Sequence, residues 1–259
     1  MLVVLPGSLR AYGMSGVALA FVVMSARVYC GTSGYSYPPW KPEFYPAKLS
    51  SKKFLSYDVS RLNAVESNYT FRAMPSEKTV ANWVAETPAG FLFAIKGHQD
   101  ITHFKAVPLL ESCRSFFGAL EPLRAAGRLD PVLFQLPPHG EADPDRLLAL
   151  RGLCPAGVRI ALEFRNTSWF TDSIFSILED HRAALCVAES GKLETPKVIT
   201  ADFAYFRLRK GAYTPEVLAG IADDAVRLRE DGKDSFEFFM HQGDPTGPAF
   251  AEEVPRSSR

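Results

Sequence analysis

Short apolar runs alternate with segments of helical periodicity eight times after residue 26. The predicted strands are Val28–Gly31, Leu62–Glu66, Phe91–Lys96, Val132–Gln135, Arg159–Glu163, Ala183–Val187, Phe203–Arg207 and Phe236–Met240. Strands that alternate with helices predict an α/β fold with a parallel sheet. Eight units in about 230 residues suit a single TIM-type (β/α)8 barrel with outer helices. An open doubly wound sheet is the alternative, although no glycine-rich nucleotide loop follows the first strand.

Helix-start signals support the intervening helices. Ser76 precedes an apolar helical stripe, and Asp172 is the predicted cap of another helix. The tripeptide Thr214-Pro215-Glu216 combines a cap, a first-turn proline and a first-turn acid. These signals place helices between the predicted strands.

The segment RIALEFR, residues 159–165, shows how the strands are built. Because side chains alternate along a strand, Ile160 and Leu162 share one face, and Ala161, Glu163 and Arg165 share the other. The first face is bulky and suits packing against helices. The second starts small and ends charged.

Four other strands repeat this arrangement with the same parity. The polar residues at their ends are Glu66 with Asn68, Lys96, Gln135 and Arg207. In a barrel this face is the interior, and this end is where active sites lie. Unpaired buried charges would cost several kcal/mol each, so the groups must pair with one another or bind a ligand. The sequence therefore predicts a polar barrel mouth, either a ligand site or an ion network that closes the barrel.

Six blocks of the chain also resemble a known family. They are CGTSGYSYPPWKPEFYP, AVESNYTFRAMP, FAIKGHQDITHFK, VLFQLPP, ALEFRNTSWF and FFMHQGDPTGPAFA. Together they resemble the YecE-like proteins, domain of unknown function 72, over about residues 27–254. The resemblance implies a TIM-type barrel and a start close to Met24, but no established reaction. Tyr35 replaces the usual tryptophan, and Gln242 replaces an acid in the last block, which puts a metal role for that position in doubt.

The basic side chains of the mouth suggest an anion clamp, because guanidinium groups match phosphate and carboxylate oxygens. The predicted binding residues are Asn68, Arg72, Lys96, Gln135, Arg165 and Arg207. Arg209 joins them if its strand extends, or lies with Lys210 in a solvated loop. Two carboxylates in one mouth can have divergent pKa values, so Glu66 and Glu163 are predicted to transfer protons. Alternatively, Arg207 holds Glu163 and Arg72 holds Glu66.

Histidines and aromatic residues complete the candidates. His103 and His241 follow predicted strands and are candidate proton shuttles or metal ligands. Trp40 and Tyr45 lie in the long first loop and are predicted to form a lid over the substrate. No paired-histidine metal motif, serine elbow or phosphate-binding loop is present. No cofactor is predicted, and a divalent metal is the alternative.

Composition argues against a protein that binds nucleic acid or membranes through its overall charge. The chain has 29 basic and 29 acidic residues, so no overall positive field attracts nucleic acid or an anionic membrane. The four cysteines are far apart and are predicted to be small buried residues, as is common in the cytoplasm. Residues 1–26 are interpreted as an extension upstream of the true start, or as a signal peptide. The apolar run within them is too short to span a membrane. Residues 27–254 form the predicted domain, and residues 255–259 a disordered tail.

The predicted function is an enzyme that acts on a small phosphorylated or carboxylated molecule by carboxylate acid–base chemistry. Hydrolysis, lyase and isomerase reactions are all compatible with these residues. Two alternatives are a divalent-metal barrel enzyme and a non-catalytic protein that binds nucleic acid or acts as a scaffold. The sequence does not predict an oligomeric state.

Overall fold

The computed structural model describes residues 26–103, 108–189, 193–240 and 243–254, together with two short strands nearer the N-terminus. These strands, β1 (Ala11–Tyr12) and β2 (Leu19–Ala20), pair in antiparallel orientation. The rest of the predicted N-terminal extension, the predicted tail and His241 lie outside the described residues.

Eight parallel strands close into a barrel in the order β10-β3-β4-β5-β6-β7-β8-β9. Their bounds are β3 Val28–Ser33, β4 Ala64–Ser67, β5 Leu92–Lys96, β6 Leu129–Gln135, β7 Ile160–Glu163, β8 Ala183–Ala188, β9 Phe203–Leu208 and β10 Asp234–Phe239. Every predicted strand coincides with one of them, with ends that differ by three residues or fewer. The prediction of a single TIM-type barrel is confirmed.

Eight α-helices accompany the strands of the described chain. They are α1 Phe54–Arg61, α2 Glu77–Glu86, α3 Gln99–Thr102, α4 Leu109–Ala125, α5 Pro144–Gly152, α6 Asp172–Asp180, α7 Pro215–Glu230 and α8 Thr246–Glu253. Ser76 caps α2 and Thr214 caps α7, as predicted. The prediction for α6 was wrong by one residue, because the Thr171 hydroxyl accepts from the backbone N–H of Ile174 and Asp172 is the first helical residue.

The barrel has an apolar layer on each side of its wall, as the strand parity predicted. The outward residues Ile160, Leu162 and Phe164 pack in the large cluster between the strands and the helices. The interior cluster contains small residues such as Ala161 together with aromatic rings such as Tyr205. The small side chains leave space inside the barrel for long ones.

The N-terminal end of the barrel is closed by ionic and aromatic contacts. Arg159 donates to Asp130 at 2.6 Å and to Asp234 at 2.7 Å. Its guanidinium also lies over the rings of Phe203 and Phe236, about 5 Å from each ring centroid. These contacts of Arg159 close the N-terminal end of the barrel, so the polar mouth at the opposite end is the open one.

The four cysteines are buried and free, which confirms the prediction that they are not paired in disulfides. In the part of the chain that the structure describes, no helix has the length and apolar character needed to cross a membrane.

Candidate functional site

Six strand ends and the loops that follow them bring polar side chains together at the C-terminal mouth of the barrel. Strand pairing aligns Ser33 with Glu66 and Gln135 with Glu163. Because strand residues of equal height and parity point the same way, these side chains converge on the barrel axis. Arg207 reaches the same level from β9.

Arg207 lies at the centre of the mouth and joins the two carboxylates. Its Nη2 donates to Glu66 Oε1 at 2.7 Å, and its Nη1 donates to Glu163 Oε2 at 2.5 Å. The Nε atom donates to Glu66 Oε1 at 3.2 Å, and Nη2 also reaches Asn68 Oδ1 at 3.2 Å. The side chain is 1% exposed. Most of its N–H groups are therefore committed to the protein, and Arg207 forms a charged floor for the mouth.

Both oxygens of Glu66 are occupied. Oε1 accepts from Arg207, from Asn68 Nδ2 at 3.1 Å and from the Ser33 hydroxyl. Oε2 accepts from the Tyr205 hydroxyl at 2.7 Å. Burial opposes ionisation, but the charge and hydrogen bonds of Arg207 outweigh it and hold the pKa of Glu66 below its usual value. These contacts hold Glu66 and Arg207 together, and the proton-transfer role of Glu66 stays a prediction.

Glu163 differs from Glu66 because one of its oxygens is free. Oε2 accepts from Arg207 and, at 3.4 Å, from Arg209 Nη2. Oε1 is buried without a hydrogen-bond partner among the described residues and lies 3.7 Å from Arg165 Nη1. A buried carboxylate oxygen without a donor is costly unless water or a ligand supplies one. Glu163 therefore keeps the acceptor capacity that Glu66 has lost.

Lys96 ends β5 beside this network. Its side chain is buried, and Nζ lies over the ring of Phe71, 4.0 Å from the centroid. Burial and the nearby charge of Arg207 lower the pKa of Lys96 to about 8, against the opposing charges of Glu163 and Glu66. Nζ makes no salt bridge with any residue that the structure describes. With a pKa of about 8, about one tenth of this amine is uncharged at pH 7.

A cleft of about 510 Å³ opens above the network. Its described lining residues are Asn68, Tyr69, Phe71, Arg72, Ala73, Lys96, Gln135, Arg207, Arg209 and Met240. Four of them are basic and none is acidic, because the two carboxylates lie beneath the floor. The volume is within the range of small-molecule sites. The cleft can therefore accept a small molecule in a positively charged setting.

The backbone of Arg209 is fixed by a hydrogen bond, and one N–H donor of its side chain has no acceptor among the described residues. Glu189 Oε2 accepts from the backbone N–H of Arg209 at 2.8 Å and fixes the chain just after β9. The side-chain Nε is buried and has no hydrogen-bond partner among the described residues. Lys210 is instead 61% exposed and pairs with Glu189. Of the two interpretations offered for this pair, the cleft applies to Arg209 and the solvated loop to Lys210.

The remaining predicted residues divide between the mouth and other places. Asn68, Arg72, Lys96, Gln135 and Arg207 line the cleft, as expected of binding residues. The proposed pairing of Glu163 with Arg207 is present. The proposed pairing of Glu66 with Arg72 was wrong, because Arg207 binds both carboxylates and Arg72 is exposed on the rim. Arg165 is near Glu163 but does not line the cleft.

Trp40 and Tyr45 do not form a lid. Trp40 is 1% exposed and Tyr45 is fully buried, in a core cluster that includes Phe44 and Phe54. The Tyr45 ring stacks on Phe54 with 3.9 Å between centroids, and its hydroxyl donates to Asp58 at 2.9 Å. The first loop folds inward because its aromatic residues bury more apolar surface there than they would above the mouth.

His103 lies beside the mouth in a second cleft. Its Nδ1 is 2.8 Å from the Thr102 hydroxyl, and its ring packs edge-on against Phe71. Burial and the charge of Lys96 lower the pKa of His103. The second cleft, of about 850 Å³, is also lined by His139 and Trp169. Phe71 thus separates His103 from Lys96, and His103 is a neighbour of the first cleft rather than part of its wall.

Two residues of the site, Tyr205 and Ser33, were not in the predicted set, and both donate to Glu66. Tyr205 shares the inward parity of Arg207, so the alternation in β9 could have identified it. Ser33 carries no comparable sequence signal. Among the residues that the structure describes, no group of three metal-binding side chains is assembled.

Known proteins resemble this chain in sequence and in fold. Residues 29–257 match the family described as Protein of unknown function DUF72. The UPF0759 protein YunF of Bacillus subtilis (strain 168) is 31% identical over 156 residues, which cover 57% of this chain and 54% of that protein. The chain thus matches about half the length of this curated relative.

Two solved structures extend the comparison. A DUF72 family protein from Thermotoga maritima MSB8 is 28% identical, with a TM-score of 0.77 over 87% of this chain and 97% of its own. A DUF72 family protein from Enterococcus faecalis V583 has the same fold, with a TM-score of 0.71 at 17% identity over 89% of this chain and 96% of its own. The family match spans most of the chain, and the chain belongs to the DUF72 family of proteins of unknown function.

Proposed function

We propose that the protein is an enzyme that binds a small phosphorylated or carboxylated molecule in the cleft at the barrel mouth. The observation that carries the proposal is the lining of this cleft, with four basic side chains and, among its described residues, no acidic one. Such a surface attracts an anion and repels a cation.

Two further contacts support an anionic ligand. The buried Arg209 Nε lacks an acceptor among the described residues, and a ligand oxygen would supply one. Arg72 is exposed on the rim, with its guanidinium free to turn toward a ligand. Arg72, Lys96 and Arg209 therefore bind the anion, and Arg207 contributes charge from the floor.

Glu163 and Lys96 are the groups suited to proton transfer. Glu163 retains an oxygen without a donor among the described residues, and burial with the charge of Arg207 lowers the pKa of Lys96 to about 8. Acid–base catalysis is most effective when the pKa of the group is near the working pH. Glu66 supports them by holding Arg207 in place.

The test is the thermal unfolding of the protein with phosphate, sulfate, citrate or sugar phosphates. A ligand at one hundred times its Kd stabilises the fold by about 2.7 kcal/mol, which at this size is a rise in Tm of roughly 5–10 °C. Arg72→Gln should reduce the rise without lowering the Tm of the free protein. Arg114→Gln, on the exposed side of α4, is the matched control and should leave the rise intact. Equal responses to anions in both variants would contradict the proposed site.

A further inference from the structure

We propose that Lys96 is a nucleophile that forms an imine with the carbonyl carbon of a small anionic aldehyde or ketone. The inference rests on the proposed function, because it gives the anion-binding cleft a substrate class. The shared chemistry is a carbonyl group a few bonds from a carboxylate or a phosphate.

The position of Lys96 carries the inference. The side chain extends from the inner face at the end of β5 into the cleft and is 9% exposed. The ring of Phe71 covers one side of Nζ, and the backbone carbonyl of Lys96 is fixed by the Thr70 hydroxyl at 2.6 Å. No described carboxylate lies within salt-bridge distance of Nζ. A lysine used only for structure would normally be paired when so little of it is exposed.

The surrounding charges keep the amine reactive. A lysine becomes nucleophilic when it is desolvated or lies beside another cation, and both conditions apply here. Burial and Arg207 favour the uncharged amine, as does Arg165 more weakly, whereas Glu163 and Glu66 favour the ammonium form. The unprotonated fraction at pH 7 is roughly 300 times that of an ordinary lysine if the pKa is near 8.

The reaction balances with the groups present. The uncharged Nζ attacks the carbonyl carbon, and the π electron pair of the carbonyl moves to its oxygen. The two hydrogens of the amine then leave with that oxygen as one water molecule, and a carbon–nitrogen double bond remains. A water molecule in the cleft carries these protons from the nitrogen to the oxygen, and Glu163 Oε1, which lies beneath the floor without a donor among the described residues, is the carboxylate that accepts from this water. Arg72 and Arg209 bind the anionic group and fix the distance from it to the carbonyl carbon.

The experiment is reductive trapping. The full chain is incubated at pH 7 with glyceraldehyde 3-phosphate or pyruvate and with cyanoborohydride, which transfers hydride to the imine carbon and leaves a stable secondary amine. Peptide mass spectrometry then locates the adduct. Lys96 should be labelled at least about tenfold faster than the exposed Lys48, Lys52 and Lys78, which serve as internal references. The phosphate and carboxylate arms identify which anionic group the site accepts.

Two controls distinguish a failure of the imine proposal from a failure of the proposed function. Glyceraldehyde and acetone lack the anionic group and should label Lys96 much more slowly; equal labelling would refute the role of the basic cleft. Lys96→Arg keeps a positive charge but cannot form an imine, so the adduct at position 96 should disappear while the slow labelling of Lys48, Lys52 and Lys78 continues unchanged. A rise in Tm with phosphate in the unmodified protein, without preferential labelling of Lys96, would overturn the imine and leave the proposed function standing. The absence of any rise with phosphate, sulfate, citrate, pyruvate or sugar phosphates would overturn the proposed function itself.

Discussion

The substitution Glu66→Gln tests whether the buried ion network holds the barrel mouth together. Glu66 is fully buried and accepts hydrogen bonds from Arg207, Ser33, Asn68 and Tyr205. A glutamine has nearly the same shape, but it loses the charge and places an NH₂ group against donors. Breaking one side of a buried ion pair typically costs about 3–5 kcal/mol. For a domain of this size the corresponding fall in Tm is about 10 °C.

Glu237 provides the matched control, because it is an equally buried glutamate on the outer face of β10. Burial raises the pKa of Glu237 to about 8. Its folded-state pKa is above its unfolded value, so its contribution to stability is complete below about pH 4.5 and is lost as the pH rises toward 8. At pH 7 the folded protein keeps this carboxyl mostly protonated whereas the unfolded chain ionises it, which costs about 3 kcal/mol of stability relative to pH 4.5. Glu237→Gln removes that cost and should raise Tm at pH 8.

Urea and thermal unfolding at pH 7 and 8 measure both variants. A fall in Tm for Glu66→Gln with a rise for Glu237→Gln would distinguish the carboxylate that Arg207 holds ionised from the one whose pKa is raised by burial. A loss below about 1 kcal/mol in Glu66→Gln, the range of an exposed ion pair, would refute the inference that Glu66 anchors Arg207. Equal losses in both variants would mean that any change of a buried glutamate disturbs the barrel.

Other predictions concern the same network and the barrel wall. The pKa of Glu66 is lower in the folded protein than in the unfolded chain. Its stabilising contribution is therefore present above the unfolded pKa and is lost as the pH falls through the folded pKa. Acid titration followed by circular dichroism should show a weaker loss of stability below pH 5 in Glu66→Gln than in the unmodified protein. Tyr205→Phe removes one donor to Glu66 and should cost about 1.5–3 kcal/mol in urea unfolding, whereas an unchanged midpoint would contradict the 2.7 Å hydrogen bond. Gly31→Ala would place Cβ 1.9 Å from the Ala64 carbonyl oxygen and should lower the free energy of unfolding by at least about 3 kcal/mol. Gly118→Ala, at an exposed position of α4, meets no atom within 4 Å and should raise the free energy of unfolding by about 0.5–1 kcal/mol.

The fold was predictable because its signals are local and repeated. Side-chain alternation in each strand identified both the wall and the interior, and eight repeats left few architectures to consider. The caps Ser76 and Thr214 were recognised for the same reason. At α6, adjacent threonine and aspartate are both good caps, and only the backbone conformation decides between them.

The site was predictable in membership but only partly in pairing, because the pair of Glu163 with Arg207 was predicted and the partner of Glu66 was not. Strand parity placed Glu66, Lys96, Glu163 and Arg207 at one mouth without any knowledge of their distances. The pairing depends on which of several arginines reaches the axis, and that is a property of barrel closure. Arg207 comes from a strand and points inward, whereas Arg72 follows a short helical turn and stays on the rim.

Tyr45 illustrates what sequence could not supply. An aromatic residue in a long first loop is compatible with a lid or with a core contact, and the sequence around it does not distinguish the two. The structure decides through burial, because Phe54 offers the ring a stacked partner and Asp58 accepts from its hydroxyl. A loop position is therefore a weak predictor of substrate contact when the loop is rich in aromatic residues.

The central claim is that an anion occupies the cleft, and anomalous diffraction locates an anion directly. Crystals of the protein soaked in tungstate, a tetrahedral oxyanion that scatters X-rays anomalously, should give a peak within hydrogen-bond distance of Arg72, Lys96 and Arg209. The peak should be absent from crystals of Arg209→Gln soaked in the same way. A well-diffracting soaked crystal with peaks only outside the cleft, or with an unchanged peak in the variant, would contradict the assignment of this mouth as an anion site.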